Sequence, residues 1–182
     1  ELHLKIEDLY SMIEVEDACR TYPYDNEQNA ILKFYINFKL SYKSLDKITS
    51  KMLSKSYGDE ELFCKEFYLS ENQIKTIKQA GHVIGSHSHC HQPWSRMSEA
   101  ELEQDLLQNI NFLNDIVGSR PKWASYPYGR DWAIPENTED ICNKFGFRLA
   151  FTLNNGWNNE GQDTSRVLRI NCNELDQYTS IS

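Results

Sequence analysis

Four of the five histidines of this 182-residue chain lie between residues 82 and 91, inside the stretch GHVIGSHSHCHQPWS (Gly81–Ser95). His87 and His91 are four positions apart, a spacing that on one helical turn sets two imidazoles on the same face, able to grip a single cation. On a strand, His89 and His91 would share a face instead. His82 stands at the start of the preceding apolar run, where local packing or hydrogen bonding is its ordinary role. Cys90 offers a thiolate ligand, although its place beside His91 makes simultaneous coordination awkward. Nothing upstream of it marks an activated nucleophile. The plainest alternative is a polar loop that caps a strand with hydrogen bonds. So many imidazoles at one strand end favour metal binding through His87 and His91.

Two further polar loops carry residue types suited to a binding site. SYPYGRDW (Ser125–Trp132) supplies two phenol rings, a proline, a permissive glycine, Arg130 and Asp131. Tyr126 and Tyr128 are candidates to stack on the apolar faces of pyranose rings, with core packing the equal alternative for Tyr126. Tyr128 and Gly129 suit a turn that presents backbone N–H groups to an anion, or simply a tight turn. NNGWNNEG (Asn154–Gly161) reads as the wall of a polar pocket with Trp157 as a lid or stacking platform. Arg169, in VLRIN, suits an ion pair or a site equally. Asp25 and Asn26 are turn residues.

These loops follow segments with strand character. Ser70 with Gln73 forms a capping box that opens a helix closed by Gly81, and HVIGS then reads as a short strand. Ser98 with Glu101 opens a long helix ending at Gly118, and KWASYPYG is a strand running into a turn. Asn137 or Thr138 caps the helix TEDICNKF, stopped by Gly146. FRLAFTL and VLRI follow as strands. Alternating helices and strands imply a parallel sheet covered by helices, with function at the carboxyl ends of the strands. The three polar loops therefore converge on one rim. Before residue 69 the pattern is mostly helical: Leu2–Ile13, Asn29–Leu40 and a segment from about Leu45 to Met52 fading toward Tyr57, with Gly58 as a stop. TYPYDNE forms the turn between the first two.

The bulk numbers narrow the class. A formal net charge of −8 without a basic stripe excludes a binder of nucleic-acid backbones. No apolar run approaches the length of a membrane span. Cys19, Cys64, Cys90, Cys142 and Cys172 are odd in number and scattered, which favours a reducing compartment, the cytoplasm. The chain begins at Glu1 rather than at methionine, so a preceding segment is expected.

Over about residues 67–176 the chain resembles the polysaccharide deacetylases, the NodB-homology group of carbohydrate esterase family four. GHVIGSHSHCH is similar to the family's second motif, H-[ST]-x-x-H after a G-H-x-I-G strand, with His87, Ser88 and His91 on pattern. SYPYG resembles the third motif, and FRLAFTL with VLRIN the later strands. The resemblance implies a partial distorted (β/α) barrel whose first strand lies outside the chain, one domain with residues 1–66 as a helical insertion and 67–182 as the barrel portion. It implies an N-acetylated sugar or glycan as substrate and a divalent metal, usually zinc, held by His87, His91 and an aspartate. The acetamide is attacked by water activated on that metal, the backbone N–H of Tyr128 helps hold the oxyanion, and Tyr126, Tyr128, Gly129 and Trp157 contact the sugar.

Two family features have no counterpart. T-F-D-D, which carries the third ligand and the base, is absent and expected upstream. Ser125 stands where the family has a base-orienting arginine, and no histidine follows His91 to serve as general acid. His89, Tyr128 or an upstream residue would have to replace it. The chain alone is thus expected to be inactive, and two alternatives accompany the deacetylase reading: an impaired, carbohydrate-binding relative, and an amidase acting on a small C–N substrate.

Overall fold

A computed structural model describes residues 14–172 and Leu175. The helix expected over Leu2–Ile13 lies outside the described residues. The chain divides into two compact units, Glu1–Tyr68 and Leu69–Ser182.

The first unit is helical, with α1 (Val15–Thr21), α2 (Glu27–Phe38), α3 (Tyr42–Tyr57) and α4 (Glu60–Phe67). Asn26 caps α2 by accepting the Asn29 N–H, and Ser41 caps α3 through Ser44, each satisfying an otherwise unpaired first-turn donor. Asp25 pairs with Lys33 at 2.7 Å, so the TYPYDNE turn is tied to the helix it precedes. Ala18, Ala30 and Ile31 form a small buried cluster where α1 meets α2. Helix α4 is capped by Asp59 and buries none of its residues.

The second unit is built on an open parallel sheet in the order β1 (Trp123–Ser125), β2 (Leu149–Asn155), β3 (Val167–Arg169). Ala124 pairs with Ala150 and Phe151 with Val167. Helices α5 (Glu71–Gln79), α6 (Glu99–Val117) and α7 (Thr138–Phe145) flank the sheet. This is the arrangement of an incomplete (β/α) barrel. Both capping boxes, Ser70–Gln73 and Ser98–Glu101, are formed as the spacing predicts. At α7 the cap lies at Asn137, whose side chain makes no capping hydrogen bond.

HVIGS departs from the expected strand. It contributes a single parallel bridge, Ser86 to Ala124, made by Ser86 N–H to Trp123 O (2.8 Å) and Ser125 N–H to Ser86 O (2.9 Å). Gly85 is required at this contact, since a Cβ there would sit 3.0 Å from the Trp123 carbonyl oxygen.

The core lies between α6, α7 and one face of the sheet, formed by Leu102, Leu106, Ile110, Ile141, Phe145, Ala124 and Ala150, with Trp94 and Phe147 closing it. The three- and four-residue spacing of the α6 leucines and isoleucines directs them onto this face. One member of the same buried face is a carboxylate, Asp105, only 3% exposed. Among the described residues, no helix is long and apolar enough to cross a membrane.

Candidate metal-binding rim

The histidine segment is not a helical turn. Ser88 (φ 68°) and His91 (φ 56°) both adopt left-handed backbone, and the loop folds back on itself between them. Non-glycine residues accept that conformation only when surrounding bonds enforce it. Here the enforcing group is Asp105. Its Oδ2 accepts the Ser88 hydroxyl at 2.7 Å and the His89 N–H at 3.0 Å, and its Oδ1 accepts the Cys90 N–H at 2.7 Å. Ser88 Oγ in turn accepts the His91 N–H at 3.1 Å. Successive backbone donors thus form a small concavity around one buried carboxylate. One helical turn along α6, Asn109 Oδ1 accepts the Ser86 hydroxyl at 2.7 Å. The helix grips the histidine segment at both ends.

The loop brings His87 and His91 together with ring centroids 4.9 Å apart. His87 Nδ1 lies 2.8 Å from the Ser125 carbonyl oxygen and 2.8 Å from Ser125 Oγ. A carbonyl oxygen can only accept, so Nδ1 carries the proton and Nε2 presents its lone pair. That is the tautomer a metal ligand needs, fixed by an outer partner in the way metal-binding histidines ordinarily are. Partial burial, and then the neighbouring His87, hold the His91 pKa below the usual histidine value. His91 is therefore neutral, and able to donate a lone pair, over a wider range than a free imidazole.

The predicted convergence of rim loops is visible in contacts. His91 meets the Tyr128 ring edge-on at 5.2 Å, and Tyr128 meets Trp132 at 5.5 Å. Leu153 N–H donates to the Gly129 carbonyl at 2.6 Å, and Asn154 Nδ2 donates to Asp131 at 2.8 Å. Tyr128 (φ 64°) and Gly129 (φ 56°) form a left-handed pair, and a Cβ on Gly129 would lie 2.8 Å from the Leu153 nitrogen. The turn's tightness is thus set by β2. Trp157 is 60% exposed on the loop that follows β2.

Tyr126 requires a correction. It does not line a groove: it is 2% exposed, packs edge-on against Trp94 at 4.7 Å and donates its hydroxyl to Ser165 O at 2.6 Å. Burial pushes its phenol pKa strongly upward. Alternation along the strand places Tyr126 on the same inward face as Ala124. Cys90 keeps its N–H on Asp105, and its role here is in the loop's backbone. Asp25 and Asn26 serve the helical unit as a turn and a cap.

The donor chemistry of His87 and His91 fits two positions of a divalent-metal site. Among the described residues, no group of three His, Cys, Asp or Glu side chains is gathered to hold an ion. The fold and the rim define an open parallel sheet flanked by helices, with a loop carrying two adjacent histidines at its edge. Residues 41–150 match the family described as Polysaccharide deacetylase, and the chain belongs to that family. It is 32% identical over 72 residues to a peptidoglycan-N-acetylglucosamine deacetylase of Bacillus cereus, covering 36% of this chain and 26% of that protein. It is 28% identical over 81 residues to a peptidoglycan deacetylase of Helicobacter pylori, covering 44% of this chain and 27% of that protein. The chain thus spans about a quarter of the length of these relatives. Among solved structures, IcaB from Ammonifex degensii aligns with a TM-score of 0.49 at 24% identity, over 62% of this chain and 52% of that one. The BpsB deacetylase domain from Bordetella bronchiseptica aligns with a TM-score of 0.49 at 20% identity, over 57% and 49%.

Proposed function

We propose that the chain is the metal-gripping, glycan-binding part of a polysaccharide deacetylase domain. In this reading residues 67–182 form the barrel portion and residues 1–66 a helical insertion. The bond addressed is the acetamide C–N bond of an N-acetylated amino sugar within a glycan. The observation that carries the proposal is the His87–His91 pair, with the His87 tautomer set by Ser125 and the loop folded around Asp105.

A bound divalent metal, zinc in this reading, supplies polarisation of the acetamide carbonyl and lowers the pKa of water. His87 and His91 hold it. The backbone N–H of Tyr128 is assigned to the developing oxyanion, and the tight Gly129 turn keeps that group on the rim. Tyr128 and Trp157 contact the sugar, while Tyr126 supports the turn from within the core. The odd number and scatter of the five cysteines favour a reducing compartment.

Two features favour binding over turnover for this chain by itself. No histidine follows His91, so the leaving nitrogen has no imidazole donor from that part of the chain. Two histidines without a third protein ligand among the described residues favour the same reading. The test is incubation of the chain with an N-acetylglucosamine oligomer, with and without zinc, following binding and acetate release separately. Zinc-enhanced binding with acetate release near background is expected. Absence of sugar binding under both conditions would overturn the proposal, and rapid acetate release would overturn the assignment of impaired turnover.

A further inference from the structure

Helix α3 (Tyr42–Tyr57) is capped by Ser41, yet none of the described residues 43–57 is buried. Helices in proteins owe most of their stability to packing an apolar stripe, so a helix that buries no residue keeps a face without a partner. No basic stripe is visible along the linear sequence, but the helix makes one. Residues four positions apart advance about 40° around an α-helix, so Lys43, Lys47 and Lys55 fall within about one third of its circumference. All three are exposed, and among the described residues no carboxylate pairs with them. Lys51, between Lys47 and Lys55, is engaged by another group and does not enter the count. Ile48, Met52 and Leu45 occupy the adjoining arc, and Met52 is 62% exposed. Tyr57 closes the helix, its ring exposed on one side and backed by Phe63 at 4.4 Å. Asp46 is the only acid of α3, whereas α4 carries Glu60, Glu61 and Glu66 and takes no part in this surface.

We infer that α3 docks flat on an anionic lipid bilayer. Lys43, Lys47 and Lys55 meet lipid phosphates, the arc of Leu45, Ile48 and Met52 enters the boundary between headgroups and acyl chains, and Tyr57 sits at the interface, where an amphipathic ring is favoured. A dissolved polyanion would use the lysines and leave Met52 in water. An apolar protein groove would cover Met52 and leave the ammonium groups unmatched. An anionic bilayer satisfies both arcs at once. The helix lies on the membrane rather than through it, because it is 16 residues long and basic along its length. With a net charge of −8 the remainder of the chain is repelled by such a surface, so the attachment is confined to this helix and is weakened by salt. This inference goes beyond the glycan reading and does not depend on it.

The test is co-sedimentation of the full chain at low salt with vesicles of phosphatidylcholine alone and with vesicles containing about 30% phosphatidylglycerol. Binding to the anionic vesicles and not to the neutral ones is expected. Each lysine near an anionic surface contributes about fivefold, so the triple variant Lys43→Gln, Lys47→Gln, Lys55→Gln should bind on the order of 100-fold more weakly. Glutamine matches lysine in helix propensity, and circular dichroism of the variants checks that the helices remain. Met52→Ser, which leaves the charge unchanged, should weaken vesicle binding about threefold to tenfold. Failure to bind anionic vesicles, equal binding to neutral ones, or full binding by the triple variant would overturn the inference. Binding to soluble polyphosphate as tight as to vesicles and indifferent to Met52→Ser would overturn it in favour of a polyanion site. A dimer in sedimentation velocity that Met52→Ser dissociates would assign the face to a second copy of the chain instead.

Discussion

Replacing Asp105 should damage the metal grip more than its effect on folding alone explains. Its carboxylate accepts three hydrogen bonds from the histidine loop, at 2.7, 3.0 and 2.7 Å. Bonds to a charged acceptor contribute roughly 1.5–3 kcal/mol each. The three do not add, because water can reach the His89 and Cys90 N–H groups once the carboxylate is gone, whereas Ser88 stays buried. Asp105→Ala should therefore cost about 3–5 kcal/mol, or on the order of 10 °C in Tm. Asp105→Asn keeps the shape but turns an amide donor toward one of the loop's donors, and should cost roughly 1–3 kcal/mol. Ser88 and His91 would then lose what enforces their left-handed backbone. Zinc affinity, measured by calorimetry well below the lowered Tm, should fall about 10- to 100-fold. Leu106→Ala is the control: Leu106 is fully buried one residue away on the same helix. It should lose a similar 2–5 kcal/mol yet keep zinc affinity within about threefold. Equal zinc affinities for Asp105→Asn and Leu106→Ala, or an Asp105→Ala variant as stable as wild type, would show that Asp105 does not hold the histidine loop in place.

Three further outcomes follow from the same geometry. Ser125→Ala removes the hydroxyl but leaves the carbonyl that fixes the His87 tautomer, so zinc affinity should fall by less than about tenfold in a calorimetric titration. The His91 pKa is depressed by burial and by His87, so the folded protein binds that proton less tightly than the unfolded chain does. Stability is therefore fully present above the ordinary histidine value of 6.5 and is lost as pH falls through it toward the lower folded value. Thermal melts between pH 8 and pH 5 should show this decline, with a shallower slope in His91→Gln. Gly129→Ala places a Cβ 2.8 Å from the Leu153 nitrogen in left-handed backbone, and a thermal or urea melt should register a loss of roughly 2–5 kcal/mol.

Much of the second unit is legible from local chemistry. The capping boxes, the terminal glycines and the apolar spacing of α6 and α7 each specify one structure, and the strands after them have a single helical face on which to pack. The histidine pair was also readable, but its backbone was not, since nothing in HSHCH marks Ser88 and His91 for positive φ. The missing information lies in Asp105, 17 residues beyond Ser88. A signal for it was present: a carboxylate within the stripe Leu102, Leu106, Ile110, Leu113, Ile116 must meet donors or carry a large burial penalty. Tyr126 turns inward for a reason also present in the sequence, since period-two alternation from Ala124 directs it to the core. HVIGS yielded only a bridge because its hydrogen bonding with β1 is confined to Ser86. Helix α4 offers no buried stripe to read, since Leu62 and Phe67 remain exposed, and its capping by Asp59 is the local cue.

In the proposed site His87 and His91 together grip a divalent metal, His87 through the ring nitrogen that Ser125 leaves open. Zinc titration followed by the imidazole ¹⁵N signals of both residues tests it most directly. The His87 Nε2 signal and the His91 ring-nitrogen signals should move together at one-to-one stoichiometry, and His87→Ala or His91→Ala should abolish the shared response. Zinc that binds with these signals unmoved, or with equal affinity to the double variant, would contradict it.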